Sequence, residues 1–269
     1  MAKINIEREG HIVVITINRP EVHNSLDPEA LIRLSDAWKM VRDDNDIRVA
    51  VITGAGEKTF CAGGDLAKSI PLITGARKPE DEWDKKLLEN FQDILEIAIL
   101  RDFDPVKPVI AAINGDCIAG GMEMIQGMDI RVASDTTRFG LAEVKMGLFP
   151  GGGSTVRLPR QMPFAKAMEI LLTGDLMPAQ EALSLGFINY VVPQDKVMGK
   201  ALEIASRIAD NGPIAVRQIR ASARSLIGLP ESEALAKENK YLVPVIMSKD
   251  AKEGPKAFKE KRKPNFIGE

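Results

Sequence analysis

Cysteine and histidine are both scarce in this chain, which has two of each among its 269 residues. Cys61 and Cys117 form no closely spaced pair, which argues against a disulfide framework or a zinc site and is typical of a protein from a reducing cytoplasm. His11 and His23 are the only histidines, so histidine-based metal chemistry is nearly excluded. We therefore expect no metal site and a cytoplasmic location.

Long apolar runs and an excess of one charge sign are also missing. No run approaches the roughly 20 apolar residues of a membrane-spanning helix, and residues 1–7 lack the apolar core of a signal peptide. The formal net charge is only −2, which predicts neither a nucleic-acid surface nor a membrane surface. The 45% apolar content is that of a globular protein with a sizeable core.

Strand, turn and helix patterns alternate from residue 4 to about residue 150. A helix is predicted over 28–43, with Asp27 as its N-cap and Pro28 at its first position. A second helix is predicted from 84 to about 100, after an irregular polar loop over 68–84. The predicted strands are 4–9, 11–18, 49–53, 109–113 and 129–134. This alternation predicts an α/β core with the chemistry on loops along one edge.

The last third of the chain is mainly helical in pattern. Its apolar faces need a partner, either from this chain or from a neighbouring subunit, so we expect an oligomer. Helices are predicted over 165–172, 178–185, 197–211, 213–227 and 230–247, with a strand at 188–192 and a lysine-rich tail at 250–266.

Two elbows of small residues are candidate reaction elements. Residues 114–123, NGDCIAGGME, run from an apolar strand through glycines into a helix start. Residues 60–66, FCAGGDL, form a second elbow after a short strand. Glycine lets a ligand approach the bare backbone, and N–H groups at a helix start favour negative charge. Two such N–H groups directed at one oxygen would form an oxyanion hole.

Two glutamates accompany these elbows. The helix start is expected to favour the ionised form of Glu123, whereas the apolar neighbours of Glu143 are expected to raise its pKa. Ser154 lacks the second glycine of a nucleophile elbow, and neither histidine is near it in sequence, so acyl transfer through serine is disfavoured. Our hypothesis is that Glu123 activates water and Glu143 supplies a proton beside a carbonyl. Alone, either glutamate would be interpreted as a solvated or ion-paired side chain.

Short motifs are spread along essentially the whole chain, and together they are specific although each alone is weak. They are NRP at 18–20, NSL at 24–26, FCAGGDL at 60–66, KPVIAAING at 107–115, GGME at 120–123, DI at 129–130, FGLAE at 139–143, GLFPGGG at 147–153, LTG at 172–174, GFIN at 186–189 and EKRKP at 260–264. With these motifs the chain resembles the enoyl-CoA hydratase/isomerase superfamily, the crotonases.

The resemblance implies an architecture as well as an activity. The implied fold is an α/β, crotonase-like spiral of ββα units over residues 1–197, which would contain the acyl-CoA site. Residues 198–269 would form a helical trimerisation region, and the trimers would assemble as homotrimers or paired homohexamers. Because coenzyme A is part of the substrate, no separate cofactor is implied.

The resemblance also implies roles for individual residues. The N–H groups of Gly64 and Gly120 would hold the thioester oxygen of an acyl-CoA. The implied CoA contacts are the Ala62 backbone at the adenine, Val22 and His23 at a strand end, Asp65 in the second elbow, and Lys261 at a CoA phosphate in this subunit or a neighbouring one. His23 departs from the usual apolar or basic residue, so contact with CoA and exposure to water are equally open.

The two glutamates decide which reaction of the superfamily is implied. Hydratases have glutamates at both positions, as this chain does at Glu123 and Glu143. The implied reaction is the reversible syn addition of water to a 2-enoyl-CoA, as in β-oxidation of fatty acids. The alternatives are an enoyl-CoA isomerase, another crotonase reaction such as a carnitinyl-CoA-type dehydration, and a non-catalytic acyl-CoA-binding protein. Residues 68–100 are expected to wall the acyl pocket, but they leave the acyl group undetermined.

Overall fold

A six-stranded sheet forms the larger layer of the fold in a computed structural model that describes residues 2–269. Its strands are β1 (Ile4–Glu9), β2 (Ile12–Ile17), β3 (Val49–Gly54), β5 (Val109–Ile113), β7 (Ile130–Ser134) and β10 (Tyr190–Val192). They lie in the order β1-β2-β3-β5-β7-β10, with β1 antiparallel to β2 and all other neighbours parallel. The predicted strands over 4–9, 11–18, 49–53, 109–113 and 129–134 are confirmed.

A second, four-stranded sheet completes the repeating pattern. Its strands are β4 (Thr59–Cys61), β6 (Asp116–Ile118), β8 (Arg138–Gly140) and β9 (Met177–Pro178). Each of the consecutive pairs β3–β4, β5–β6 and β7–β8 therefore gives one strand to each sheet. The chain passes from one sheet to the other and back, which confirms the predicted α/β spiral.

Helices cover the sheets and form the C-terminal part. They are α1 (Pro28–Asp43), α2 (Ser69–Ile73), α3 (Glu82–Glu89), α4 (Phe91–Ala98), α5 (Gly120–Ile125), α6 (Ser154–Gln161), α7 (Phe164–Thr173), α8 (Ala179–Ser184), α9 (Val197–Ala209), α10 (Pro213–Leu226), α11 (Glu231–Ile246) and α12 (Asp250–Lys259). Asp27 caps α1 as predicted, because its side chain accepts the N–H of Ala30. No helix within residues 2–269 is both long and apolar enough to cross a membrane.

Both faces of the large sheet are buried. In β3, Ala50 and Ile52 belong to the main core, whereas Val49 and Val51 pack with α9 on the other face. A strand covered on both sides reads as a continuous apolar run, which is why its sequence shows no polar alternation. Because α9 packs on this sheet, contact with the core continues past the predicted boundary at residue 198, and that boundary stays a prediction.

The region between β4 and β5 differs from the prediction. The single helix expected over 84–100 is two helices, α3 and α4, separated at Asn90, whose φ of −131° is not helical. The segment 68–84 is not only an irregular loop, because it contains α2. Ser69 and Leu72 of α2 are buried. Both α3 and α4 pack against α1.

Two elements near β8 have no counterpart in the predictions. After β8 the chain forms a short 3-10 helix, Ala142–Met146. Helix α6 was not predicted, and its Pro159 obscures the pattern. The predicted C-terminal helices are confirmed. Exposed apolar side chains of this C-terminal region include Ile219, Leu235, Val243, Ile246 and, on α12, Phe258, but the oligomer stays a prediction.

Candidate active site

The two glycine elbows lie side by side because the strands before them are paired. β4 and β6 are parallel neighbours, with Cys61 opposite Cys117. Beyond this pair the two segments of the chain are so close that a Cβ on Gly63 would lie 2.7 Å from the backbone nitrogen of Gly120. The N–H groups of Gly64 and Gly120 donate to no acceptor within residues 2–269. The structure thus brings together the two donors that the sequence predicts.

An unusual backbone conformation directs the second donor. Ala119 has φ 51° and ψ −127°, a region that residues with a side chain rarely adopt. Its own N–H is held by the carbonyl of Gly140 at 2.8 Å. Strain of this kind persists where the surrounding structure enforces it. Here it turns the chain so that Gly120 begins α5 with a free N–H.

Glu123 is buried on α5, with 5% of its surface exposed. Its Oε1 accepts the N–H of Gly152 at 2.8 Å and, less closely, that of Ser154 at 3.4 Å. Burial raises the pKa of Glu123, and these hydrogen bonds oppose that rise. The pKa of Glu123 therefore lies above its usual value, because desolvation outweighs the N–H groups, and the predicted effect of the helix start stays a prediction.

Glu143 lies on the 3-10 helix after β8. Its Oε2 is buried and has no hydrogen-bond partner within residues 2–269. Burial, and secondly the charge of Glu123, raises its pKa to about 7. The predicted effect of an apolar neighbourhood is confirmed. One carboxyl is thus stabilised by N–H donors and the other is bare, and such unequal environments separate an acid from a base.

A cavity of about 700 Å³ contains both carboxyls and both free N–H groups. This is the volume of a typical small-molecule site. The cavity is bounded by Gly64, Gly120, Glu123 and Glu143, and most of its other walls are apolar. The apolar walls include Leu26, Leu31, Ile70, Ile73, Phe91, Leu95, Ile99 and Met146. The expectation that residues 68–100 wall the acyl pocket agrees with Ile70, Phe91 and Leu95 in this wall.

Three of the predicted CoA contacts, Ala62, Val22 and His23, lie at and beyond the cavity edge. Ala62 lines the cavity, and its N–H donates to the carbonyl of His23 at 3.1 Å. Val22 and His23 are exposed and outside the lining. The His23 ring contacts the Thr59 hydroxyl at 3.0 Å. These three residues therefore form one continuous rim.

Asp65 and Lys261 are separate from the cavity. The carboxylate of Asp65 is paired with Arg19 at 3.0 Å and accepts the N–H of Ala67 at 2.9 Å. Asp65 is therefore held inside the protein and supports the elbow, which differs from the predicted CoA contact. Lys261 is exposed beyond α12 and outside the lining in this single chain.

Three residues that matter for the geometry have no predicted role. Gly152 contacts the Glu123 carboxylate, and Gly63 spaces the elbows. Ser154, considered above only as a nucleophile, hydrogen-bonds Glu123 and accepts a bond from Gln126 Nε2 at 2.8 Å. The glycine run 151–153 was the only sequence signal, and it does not show which carboxylate the run contacts.

Comparison with known proteins agrees with this geometry. The sequence profile described as enoyl-CoA hydratase/isomerase matches residues 7–269. The chain is 42% identical to enoyl-CoA hydratase EchA19 of Mycobacterium tuberculosis, over 97% of this chain and 95% of the relative. It is 38% identical to (E)-benzylidenesuccinyl-CoA hydratase of Thauera aromatica, over 98% and 99%. A crystal structure of enoyl-CoA hydratase from Bacillus anthracis superposes with a TM-score of 0.88 at 36% identity, over 99% and 100%.

Proposed function

The chain belongs to the enoyl-CoA hydratase/isomerase family, and we propose that it is an enoyl-CoA hydratase acting through Glu123 and Glu143. The reaction is the reversible syn addition of water to a 2-enoyl-CoA, which gives a 3-hydroxyacyl-CoA. The observation that carries this proposal is the pair of unequal carboxyls in one cavity with two free backbone N–H groups.

The two glutamates divide the proton transfers between them. Glu123, held by the N–H of Gly152, takes a proton from water while the water oxygen bonds to C3 of the enoyl group. Glu143, whose pKa is raised to about 7, gives its proton to C2. A carboxyl that stays protonated near neutral pH is suited to this second role. The reverse dehydration uses the same groups with the proton positions exchanged.

The elbow N–H groups stabilise the intermediate charge. As water adds to C3, the thioester carbonyl becomes an enolate, and its oxygen would accept the N–H groups of Gly64 and Gly120. Donors of this kind contribute about two to three orders of magnitude in rate. Neither group has a competing protein acceptor within residues 2–269, so both are available to the substrate.

The remaining assignments are proposals of the same kind. The rim of Ala62, Val22 and His23 would contact CoA, and Lys261 would reach a CoA phosphate from this or a neighbouring subunit. A homotrimer or homohexamer through residues 198–269 is supported by the exposed apolar side chains of α10 and α11. A cytoplasmic location is supported by Cys61 and Cys117, which are free, buried thiols.

Loss of the conjugated thioester absorbance of crotonyl-CoA tests the hydratase proposal directly. The wild-type protein should remove this absorbance, and Glu123→Gln should abolish the reaction. A non-catalytic binder would instead retain CoA affinity without any turnover. An isomerase would convert a 3-enoyl-CoA and leave crotonyl-CoA unhydrated.

A further inference from the structure

The cavity has one polar corner in an otherwise largely apolar acyl wall. Gln92 and Glu96 lie on α4, and Arg101 follows its end. Gln92 Nε2 donates to Glu96 Oε1 at 3.0 Å, and Arg101 Nη1 donates to the same oxygen at 2.8 Å. A simple alkyl chain gains nothing from such a network, because it would only desolvate the polar groups.

The guanidinium of Arg101 still has donors to offer. Its bond to Glu96 uses Nη1 alone, and its Nε and Nη2 donate to no acceptor within residues 2–269. The side chain is 43% exposed and lines the cavity. A guanidinium presents its N–H groups as a planar fork that matches a carboxylate in two parallel hydrogen bonds.

The backbone holds Arg101 in place through a strained turn. Leu100 is fully buried with φ 54°, an unfavourable conformation for a leucine. The N–H of Arg101 donates to the Glu96 carbonyl at 2.8 Å, and the Arg101 carbonyl accepts from Arg157 at 2.6 Å. The side chain therefore starts from a fixed point at the end of α4.

This fixed point is close to the reacting end of the cavity. The Arg101 Cγ lies 3.8 Å from where a Cβ on Gly153 would stand, next to the Gly152 that contacts Glu123. The charge of Arg101 is also among the influences that lower the pKa of Glu123. A group bound at Arg101 would thus belong to the acyl part of the substrate.

The charges of the corner favour an anion over a cation. Arg101 is the only cationic side chain that lines the cavity within residues 2–269. A carboxylate could bind its free donors without breaking the pair with Glu96. A cationic chain end would have to displace Arg101 from Glu96 and would face a guanidinium. We infer that Arg101 is a carboxylate-binding residue and that the preferred substrates are 2-enoyl-CoAs whose acyl part carries a second carboxylate.

This inference rests on the proposed hydratase function, and substrate pairs that differ only in the chain end test it. The ratio of kcat/KM would be measured for glutaconyl-CoA over 2-pentenoyl-CoA, 2-hexenedioyl-CoA over 2-hexenoyl-CoA, and 2-octenedioyl-CoA over 2-octenoyl-CoA. The wild-type ratio should exceed unity for at least one pair. Arg101→Gln should lower that ratio by about 10- to 100-fold, because it removes charged hydrogen bonds.

Two further variants separate the carboxylate site from general damage. Arg101→Lys keeps the charge without the fork, so its ratio should fall between those of the wild type and Arg101→Gln. Glu96→Gln removes the competing carboxylate and should raise the ratio. A wild-type ratio below unity for every pair, or a ratio unchanged by both Arg101→Gln and Glu96→Gln, would overturn the inference. Absence of hydration with all six substrates would overturn the hydratase proposal itself.

Discussion

Gly152 donates its backbone N–H to Oε1 of Glu123 at 2.8 Å, and a Cβ at this glycine would stand 2.6 Å from Oε2 of the same carboxylate. One residue therefore fixes the orientation of the glutamate and leaves the space that its carboxylate occupies. The same Cβ would lie 2.5 Å from the Ile99 side chain, so an added methyl group would collide both with the carboxylate and with this isoleucine.

We expect Gly152→Ala to lower kcat by about 100-fold or more, because the methyl group displaces the carboxylate of Glu123 from its position. Steady-state hydration of crotonyl-CoA measures the effect. Gly151→Ala is the matched control, because a Cβ there would meet nothing closer than an oxygen at 3.9 Å. Equal losses in the two variants would show that the backbone of the run, and not contact with Glu123, is what matters.

The shared proton of the two glutamates predicts the pH dependence. The active form of the pair holds one proton, so kcat/KM should fall as pH rises through about 7, where Glu143 ionises, and again at lower pH as Glu123 is protonated. Hydration consumes no net proton, so kcat/KM for hydration and dehydration should follow the same bell-shaped curve. Glu143→Gln should lose the alkaline limb together with about 100- to 10,000-fold of the rate. An alkaline limb that survives this change would assign it to another group.

Stability should respond to Glu143 in the opposite sense from activity. The pKa of this group is raised on folding from 4.5 to about 7, so the wild-type protein loses stability as pH rises between those values. At about pH 8 the free energy of unfolding of Glu143→Gln should therefore exceed that of the wild type by on the order of 2 kcal/mol, which urea titration would show as a higher midpoint. At about pH 4.5 the two proteins should differ little. The exposed Glu21→Gln serves as the control. A gain that is the same at both pH values would contradict the linkage.

Ser154 predicts a change in the acidic limb. Its N–H donates to Glu123 Oε1 at 3.4 Å, and its side chain also holds the pKa of Glu123 down against burial. Ser154→Ala should move the acidic limb of kcat/KM to higher pH and lower the plateau by about 10-fold. Thr155→Ala, at the exposed neighbouring position, should leave the limb in place. A lower plateau with an unmoved limb would point to altered packing alone.

Gly63 separates the two N–H donors. It has φ 85°, and a Cβ there would lie 2.7 Å from the Gly120 nitrogen. Gly63→Ala should push the elbows apart and lower kcat by about 100-fold, as the loss of one oxyanion donor does. Gly10→Ala imposes a similar positive φ of 56° in open space, so it should cost stability without changing kcat. Comparable kcat values for the two variants would show that Gly63 does not set the spacing of the two N–H donors.

The sequence predicts the sheet better than the helices around the cavity. Runs such as Ile12–Ile17 and Val49–Gly54 are apolar and β-branched because they are buried in the sheet, and their positions are confirmed. The break at Asn90 is different, since 84–100 has the apolar spacing of one helix. Both α3 and α4 pack against α1, and such packing depends on residues far away in sequence.

The candidate active site is likewise only partly predictable from the sequence. Motif spacing predicts Glu123 as the base and Glu143 as the acid, but the partners of Glu123 come from Gly152 and Ser154, about thirty residues downstream. The net effect on its pKa depends on burial, which local sequence does not determine. Nothing in the sequence marks Arg101 as a binding residue, because an arginine after a helix is usually solvated. Its meaning emerges only when α4 is placed along the cavity.

The proposed oxyanion hole consists entirely of main chain, held by the pairing of β4 with β6. Side chains along both elbows could be exchanged during evolution without removing either donor, provided that the glycine spacing survived. The side chains that α4 presents to the cavity supply neither of these donors. Such a site can keep its chemistry constant while the neighbouring side chains change to suit new acyl groups. Gln92, Glu96 and Arg101 would be one such set of side chains, suited to an acyl group with a second carboxylate.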